Sequence, residues 1–567
     1  MFTNSLVIYK LSLTRTVSYI KRRLTHLFSL IFFIAIITSC SKTTPAKKIV
    51  NGIYLNITQD PLSLDPRKGV DYTSSTIQFL LFEGLFRMSS DALATPALAT
   101  HFEISNDGLT YTFHLREAKW SNGQPITAYD FSQTWLDMLH PTFPSPNAHL
   151  LFPILNAEKA KKGLVSLKEV GIHPLNYNTL EITLETPTPY FLELISFCVF
   201  SPVSQNCVQQ NNKWAEASTT DFICNGPYRL VKRRAGSELV LEKNPYYWNI
   251  NSVDLEQITF SIIDNETTAL HMFLNNQLDM IGSPFTTIPL DAIPSLLEKK
   301  LIKTSEIPAT TICCFNLDRY PFNNKNIRKA FAYSINRKEI VDNIIQTGGV
   351  PGTNLLPETL LPNQVDPLFI DGDVQTAQMY LKKGLDELGI SLNDLPKLTF
   401  LHSSMGIYPK LAQAIQAQWQ VVLGIMVELN GFEYKVFLDK LGKKDFCIGQ
   451  CTWIAQYHDP MNILDRFKIK ENTKNYPGFD NKEYRDLIDG SLYFDIKEER
   501  FSELNKALAI LNEEVPFTTI YHWKNSYMQQ RHINDLLISS EGFFCLNKVK
   551  IDKKNLPPNR PNQFLYN

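Results

Sequence analysis

The sequence predicts an α/β protein built in more than one lobe, and three observations carry that prediction. Short strand-like runs alternate with helix-like runs of about a dozen residues along most of the chain. The 567 residues exceed what one hydrophobic core usually fills, since chains beyond about 250–300 residues divide. Hydrophobic residues at 44% and charged residues at 20% match an ordinary folded chain. Lys+Arg (56) and Asp+Glu (57) nearly cancel, so the net charge of -1 gives no reason to expect nucleic acid as a partner.

At the N-terminus, Lys21, Arg22 and Arg23 precede a mostly apolar stretch, 24–37, followed by Thr38, Ser39 and Cys40. A basic region, a short apolar run and small residues before a cut site read as a signal peptide over 1–39. The apolar run falls short of the roughly 20 residues that span a bilayer. Ile37-Thr38-Ser39-Cys40 resembles the bacterial lipobox, which makes Cys40 the expected lipidation site. A signal anchor or an ordinary cleavage site are the alternatives. Residues 40–47 are polar and read as a tether. No later stretch is long and apolar enough to span a membrane, so the mature chain is expected to be periplasmic and held to the membrane by lipid alone. Of nine cysteines, Cys40 leaves eight. An exported compartment permits disulfides among them. On a strand, Cys447 and Cys451 would stand about 13 Å apart, too far to bridge. The eight read as small buried hydrophobes.

The elements follow in order. Residues 50–57 read as a strand, and Asp65-Pro66 starts a turn because proline fixes its own φ and keeps its predecessor out of the helix region. Helical spacing of apolar residues predicts a helix over 73–86. Alternation predicts a strand at 109–115, and Asn122-Gly123 marks a turn. A helix over 127–139 is capped by Thr127 with Asp130 three residues on. Further strands are expected at 179–184, 228–231, 239–241 and 258–263. Further helices are expected at 327–333, 338–345, 374–388, 411–423 and 498–511. There is no internal repeat.

Together the motifs make a resemblance. Ser63-Leu64-Asp65-Pro66 is followed by Leu81-Phe82-Glu83-Gly84-Leu85, Tyr111-Thr112-Phe113-His114-Leu115-Arg116 and Trp120-Ser121-Asn122-Gly123. Then come Asn225-Gly226-Pro227-Tyr228, Asn244-Pro245-Tyr246-Tyr247-Trp248, Ala332-Tyr333-Ser334-Ile335-Asn336-Arg337 and Trp453-Ile454-Ala455-Gln456-Tyr457. In this order, from about Ile53 to the C-terminus, the set resembles the periplasmic oligopeptide-binding proteins of the peptide/nickel class of ABC importers, solute-binding protein family 5. The resemblance implies a two-lobed, periplasmic-binding-protein-like fold of type II with an extra subdomain and hinged lobes around a central cleft. Lobe I is expected from 48–82, 205–308 and 524–567, an accessory subdomain from 83–204, and lobe II from 309–523. Crossings near 308 and 524 would form the hinge.

In that family the ligand lies between the lobes, its backbone added as a strand. The resemblance places Val70, Asp71, Tyr72, Thr452, Trp453 and Ile454 along the ligand, with an interlobe cavity bordered by Tyr72 and Trp453. An acid that fixes the ligand's amino group is here Gln456. Either another acid replaces it, with Asp71 and Asp459 as candidates against a reading as ordinary surface acids, or the ligand lacks a free amine. Positions that hold the ligand carboxylate with basic side chains are here Ala332, Tyr408, Leu441 and Gln450, and two aromatic positions are Asn147 and Tyr434. Lys440 and Lys443 flank one of these places. Altered specificity follows: a longer, blocked or modified peptide, such as a cell-wall peptide.

No phosphate loop, nucleophile elbow or zinc-protease signature is present, so an enzyme is not expected. His458-Asp459 reads as incidental, because neighbours on a strand point to opposite faces. The expected partners are a peptide or peptide-like ligand and the permease subunits of an ABC importer, with the protein a monomer, no cofactor and no metal. The alternatives are a non-peptide solute such as a metal chelate, or a surface receptor or adhesin on the same fold.

Overall fold

Strand Gly52–Ile57, buried along its whole length, pairs in parallel with Gln257–Ile262. Two antiparallel neighbours, Glu238–Lys243 and Tyr228–Arg234, complete a four-stranded sheet. The computed structural model describes residues 51–69, 71–211, 213–216, 221–364 and 370–557. The signal, tether and Cys40 readings, and Val70, lie outside the described residues.

The expected 73–86 helix runs only over Tyr72–Leu81. A side chain distant in sequence explains the early stop. Asn225 Oδ1 accepts from Glu83 N at 3.0 Å, and its Nδ2 donates to Glu83 O at 2.8 Å. Gly226 N donates to Leu81 O at 2.8 Å, and a Cβ on Gly226 would sit 2.5 Å from the Leu81 carbonyl carbon. The Asn225-Gly226 pair thus clamps the helix end, and only glycine permits the approach.

The Asn244-Pro245-Tyr246-Tyr247-Trp248 run closes the same corner. Asn244 Nδ2 donates to Gly226 O at 2.9 Å, Tyr247 OH donates to Glu83 Oε1 at 3.0 Å, and Trp248 Nε1 donates to Glu83 Oε2. Arg87 pairs with Glu83, and the Arg116 guanidinium lies 3.6 Å from the Trp248 ring centroid.

An antiparallel accessory sheet has the strand order Ala99–Ile104, Thr110–Leu115, Thr179–Thr183, Ile172–Asn176. Helix Ala128–Leu139 buries Phe131, Trp135 and Met138 with its core. Asp130 Oδ2 accepts from Thr127 N at 2.8 Å and from Thr127 Oγ1 at 2.9 Å, so the cap sits where its sequence pattern put it.

The largest sheet has seven strands. At its centre, two 13-residue strands, Lys303–Phe315 and Phe517–Gln529, pair antiparallel. Their register slips between Glu306 and Thr310, so Ile307, Pro308 and Ala309 face a single residue, Trp523. Ile448–Ile454 flanks Lys303–Phe315, then Leu398–Ser403 and Val427–Phe432. Helices Lys325–Tyr333, Val374–Leu388 and Tyr408–Leu423 share a core with this sheet around Phe331, Phe400 and Trp419. Fully buried Arg337 ties helix to strand, donating to Ala332 O, Ile335 O, Thr519 O and Thr518 Oγ1. The predicted 338–345 helix is an α-turn, Arg337–Ile340, continued as a π-turn to Ile345.

The chain is therefore two-lobed with mixed helices and sheets. The accessory sheet's core is continuous with that of the lobe carrying Trp453, Tyr457 and Phe467. The eight described cysteines are free thiols, six of them buried. Cys314 and Cys451 bring their sulfurs to 3.8 Å. Among the described residues, no helix is long and apolar enough to cross a membrane.

Candidate functional site

Ile448–Ile454 carries the sequence-nominated residues, and its two edges differ. On one side it pairs with 309–315 along its whole length. On the other, the parallel ladder to Leu398–Ser403 ends at Gly449. Among the described residues no strand pairs with 450–454 on that side.

Alternation sorts the side chains. Gln450, Thr452 and Ile454 share one face. Thr452 Oγ1 lies 2.8 Å from Thr311 Oγ1 and accepts from Tyr408 OH at 3.3 Å, while Trp523 Nε1 donates to Thr311 Oγ1 at 2.8 Å. Gln450 is only 1% exposed, and neither its Oε1 nor its Nε2 has a hydrogen-bond partner among the described residues. Trp453 points to the opposite face. Its ring packs edge-on against Phe467 at 5.4 Å and stacks with Tyr476 at 6.3 Å, under the Arg466 guanidinium. Its side chain is a core group; its main chain is what lies along the open edge.

Asp71 caps helix Tyr72–Leu81, accepting from Ser74 N at 2.8 Å. Tyr72 lies against Phe543, ring centroids 4.7 Å apart, and donates to Glu541 O at 3.3 Å. Asn147 is buried and donates to Gly69 O at 2.6 Å, while its Oδ1 accepts from Gln456 Nε2 at 3.2 Å. A neutral amide chain, Gln456 to Asn147 to Gly69 O, therefore stands where the family resemblance implies an ionic anchor. Tyr190 and Tyr457 stack, centroids 5.4 Å apart.

Beside Gln456 opens a cavity of about 90 Å³. It differs from the expected one, because neither Tyr72 nor Trp453 lines it. Its walls include Phe79, Phe82, Phe86, Phe197 and Phe543, with Glu83, Arg87 and Glu541 as its charged groups. Glu83 is neutralised by Arg87. Glu541 is 3% exposed, accepts from Ser540 Oγ at 2.8 Å and has no cation beside it among the described residues. Burial pushes its carboxyl above the usual range. Nothing in the local sequence, Ser539-Ser540-Glu541-Gly542, signals this; only folding brings it beside Gln456.

The remaining nominees lie elsewhere. Tyr434 is 47% exposed near Phe437. Ala332 and Leu441 are fully buried core residues. Lys440 pairs with Asp445 and Lys443 with Asp439, so both are engaged at the surface. Asp459 is corrected as a candidate amine acceptor, because Arg500 holds both its oxygens at 2.7 Å inside the protein. His458 Nε2 lies 2.8 Å from Thr359 O. Among the described residues no metal-ligating group of His, Cys, Asp and Glu side chains borders this cavity.

Comparison with known proteins places this geometry. Residues 94–475 match the bacterial extracellular solute-binding proteins, family 5 middle region. The oligopeptide-binding protein OppA of Bacillus subtilis (strain 168) is 35% identical over 492 residues, covering 86% of this chain and 90% of that protein. The structure of the Escherichia coli murein tripeptide binding protein MppA superposes with a TM-score of 0.77 at 25% identity, covering 89% of this chain and 99% of that one. That of Haemophilus influenzae OppA in complex with RPPGFSPFR gives 0.76 at 25% identity, covering 89% and 100%. The chain belongs to the bacterial extracellular solute-binding proteins of family 5.

Proposed function

We propose that the protein is the ligand-capturing component of an ABC importer, closing its two lobes over an extended peptide or peptide-like solute. The observation that carries this is the main-chain edge of 450–454, open on one side and running to Gln456 at the cavity. An extended guest adds to such an edge as a strand, and main-chain bonds give affinity that does not depend on guest sequence. The names of the relatives, an oligopeptide-binding protein and a murein tripeptide binding protein, support the same ligand class. The orphaned carboxamide of Gln450 favours it too: a buried polar group without a partner costs about 1–3 kcal/mol, which a bound polar ligand recovers.

Capture involves no covalent step. The hinge is the register slip at 307–309 opposite Trp523, close to the crossings near 308 and 524, with lobe I, accessory subdomain and lobe II divided as the sequence implied. A ligand closes the lobes only by the difference in its affinity for closed and open forms. Cys40 is the lipid attachment, the permease of the inner membrane is the docking partner, and the working form is a monomer. Native mass spectrometry of protein taken from its host tests the reading. A co-purifying peptide or cell-wall peptide is the expected result; a non-peptide adduct, or turnover of any solute, overturns it.

A further inference from the structure

A second constellation lies on the accessory sheet, and none of its residues lines the cavity beside Gln456. His101 stands directly opposite His114 in the ladder between Ala99–Ile104 and Thr110–Leu115. The register slips by one residue between Ala99 and His101, which makes Thr100 a bulge. Thr100 and His101 are both exposed, while Phe102 turns in among Phe86, Tyr111 and Phe113. Glu103 returns to the outer face. Bulges re-aim side chains in this way and recur beside functional sites.

The two imidazoles stack with centroids 4.3 Å apart. Glu103 Oε1 lies 3.7 Å from His114 Nε2. That nitrogen is shielded from solvent and has no hydrogen-bond partner among the described residues. One ligand atom from each of His101, Glu103 and His114 falls within 4.8 Å of the others.

Thr100 then favours one tautomer. Its hydroxyl has one proton, which it donates to His114 O at 3.0 Å. Toward His101 Nδ1, at 2.9 Å, the same oxygen can only accept. This arrangement favours the tautomer of His101 with its hydrogen on Nδ1, which leaves the lone pair on Nε2. Metal-binding histidines are prepared like this, with the second ring nitrogen donating to a neighbour that sets tautomer and orientation.

We propose that His101, Glu103 and His114 form a site for a divalent transition-metal ion of the Zn²⁺ class, oriented by Thr100. Two imidazoles and one carboxylate suit zinc, nickel and copper rather than magnesium or calcium, which prefer all-oxygen ligands. Metal–ligand bonds of about 2.0–2.2 Å require the ligand atoms to draw closer than they stand. The exposed His101 ring achieves this by turning out of its stack. Three protein ligands leave a fourth position for water or an incoming donor.

Equilibrium dialysis of the untagged mature chain against Zn²⁺, with Mg²⁺ as control, tests the proposal. One equivalent of Zn²⁺ is expected, with no Mg²⁺ binding. His101→Ala and His114→Ala each remove the stoichiometric site, and Thr100→Val weakens it by about tenfold while keeping all three ligands. Added Zn²⁺ raises the melting temperature of the wild type but not of His114→Ala, because a ligand that binds only the folded state stabilises it. All four substituted or ligand positions face solvent or the sheet surface, so folding of each variant is checked by the same melting curve. Zinc binding that survives in the double histidine variant overturns the site, as does absence of binding by the wild type.

Discussion

Glu541 and Asp459 are both carboxylates enclosed by protein, and their partners differ. Asp459 receives two N–H groups from Arg500, whose guanidinium also lies 5.3 Å from the Tyr190 ring centroid. Removing the acid leaves a buried cation, so Asp459→Ala is expected to cost about 3–5 kcal/mol in urea unfolding. A loss confined to ligand affinity, with stability unchanged, would contradict the structural role. Glu541 has no such cation, and burial holds its carboxyl above the ordinary range. Between the ordinary and the raised value the folded state binds more protons than the unfolded state, so stability falls as pH rises through that window. Glu541→Gln is expected to flatten this dependence and to stabilise the unliganded protein at pH values above it. The same acid faces the cavity beside Gln456 and would pair with a ligand amine. The substitution is therefore expected to weaken a free-amine peptide by at least about tenfold, since a hydrogen bond to a charged group contributes about 1.5–3 kcal/mol, and an N-acetylated peptide little. Equal affinity of the wild type for both peptides would rule out this anchor.

At the scale of single elements, Ile448–Ile454 shows why a strand must be read by face. Trp453 and Thr452 are neighbours in sequence, yet one joins a core of Phe467 and Tyr476 while the other borders Tyr408. Trp453→Ala is expected to lower stability by about 3–5 kcal/mol and to leave the affinity of the folded fraction within a few fold. A collapse of affinity in a variant that still unfolds like the wild type would show that the indole itself touches ligand. The helix Tyr72–Leu81 teaches the complementary point. Its apolar spacing continues to 86, but the Asn225 side chain takes up Glu83 N and O and ends it.

At the scale of the whole molecule, the long strand Phe517–Gln529 carries the register slip proposed above as the hinge, and His522 sits beside that slip. Burial pushes the His522 imidazole down to about 4, and its Nδ1 has no hydrogen-bond partner among the described residues. A histidine depressed on folding takes up its proton more readily when unfolded, so the protein is most stable above the ordinary value of about 6.5. Stability is expected to fall as pH drops from there toward 4, and His522→Asn should reduce that slope in thermal melts at pH 7 and pH 5. An unchanged slope would remove His522 as its source.

Local chemistry determined much of this. Caps such as Thr127 with Asp130, turns such as Asn122-Gly123, and amphipathic helices such as Val374–Leu388 are written in residues a few positions apart, so the sequence by itself set their type and place. The ordered motifs also fixed the family, because Asn225, Asn244 and Arg337 each do a specific structural task that tolerates few alternatives. The central strands Lys303–Phe315 and Phe517–Gln529 escaped that reading, since strands enclosed on both faces lose the alternation that marks a half-exposed one. The cleft chemistry was decided by tertiary structure alone. Gln456 and Asn147 meet from 309 positions apart, and Glu541 reaches the cavity beside Gln456 from far along the chain. Contacts of that separation leave no periodic trace in sequence, because their energy depends on what surrounds a side chain rather than on what precedes it.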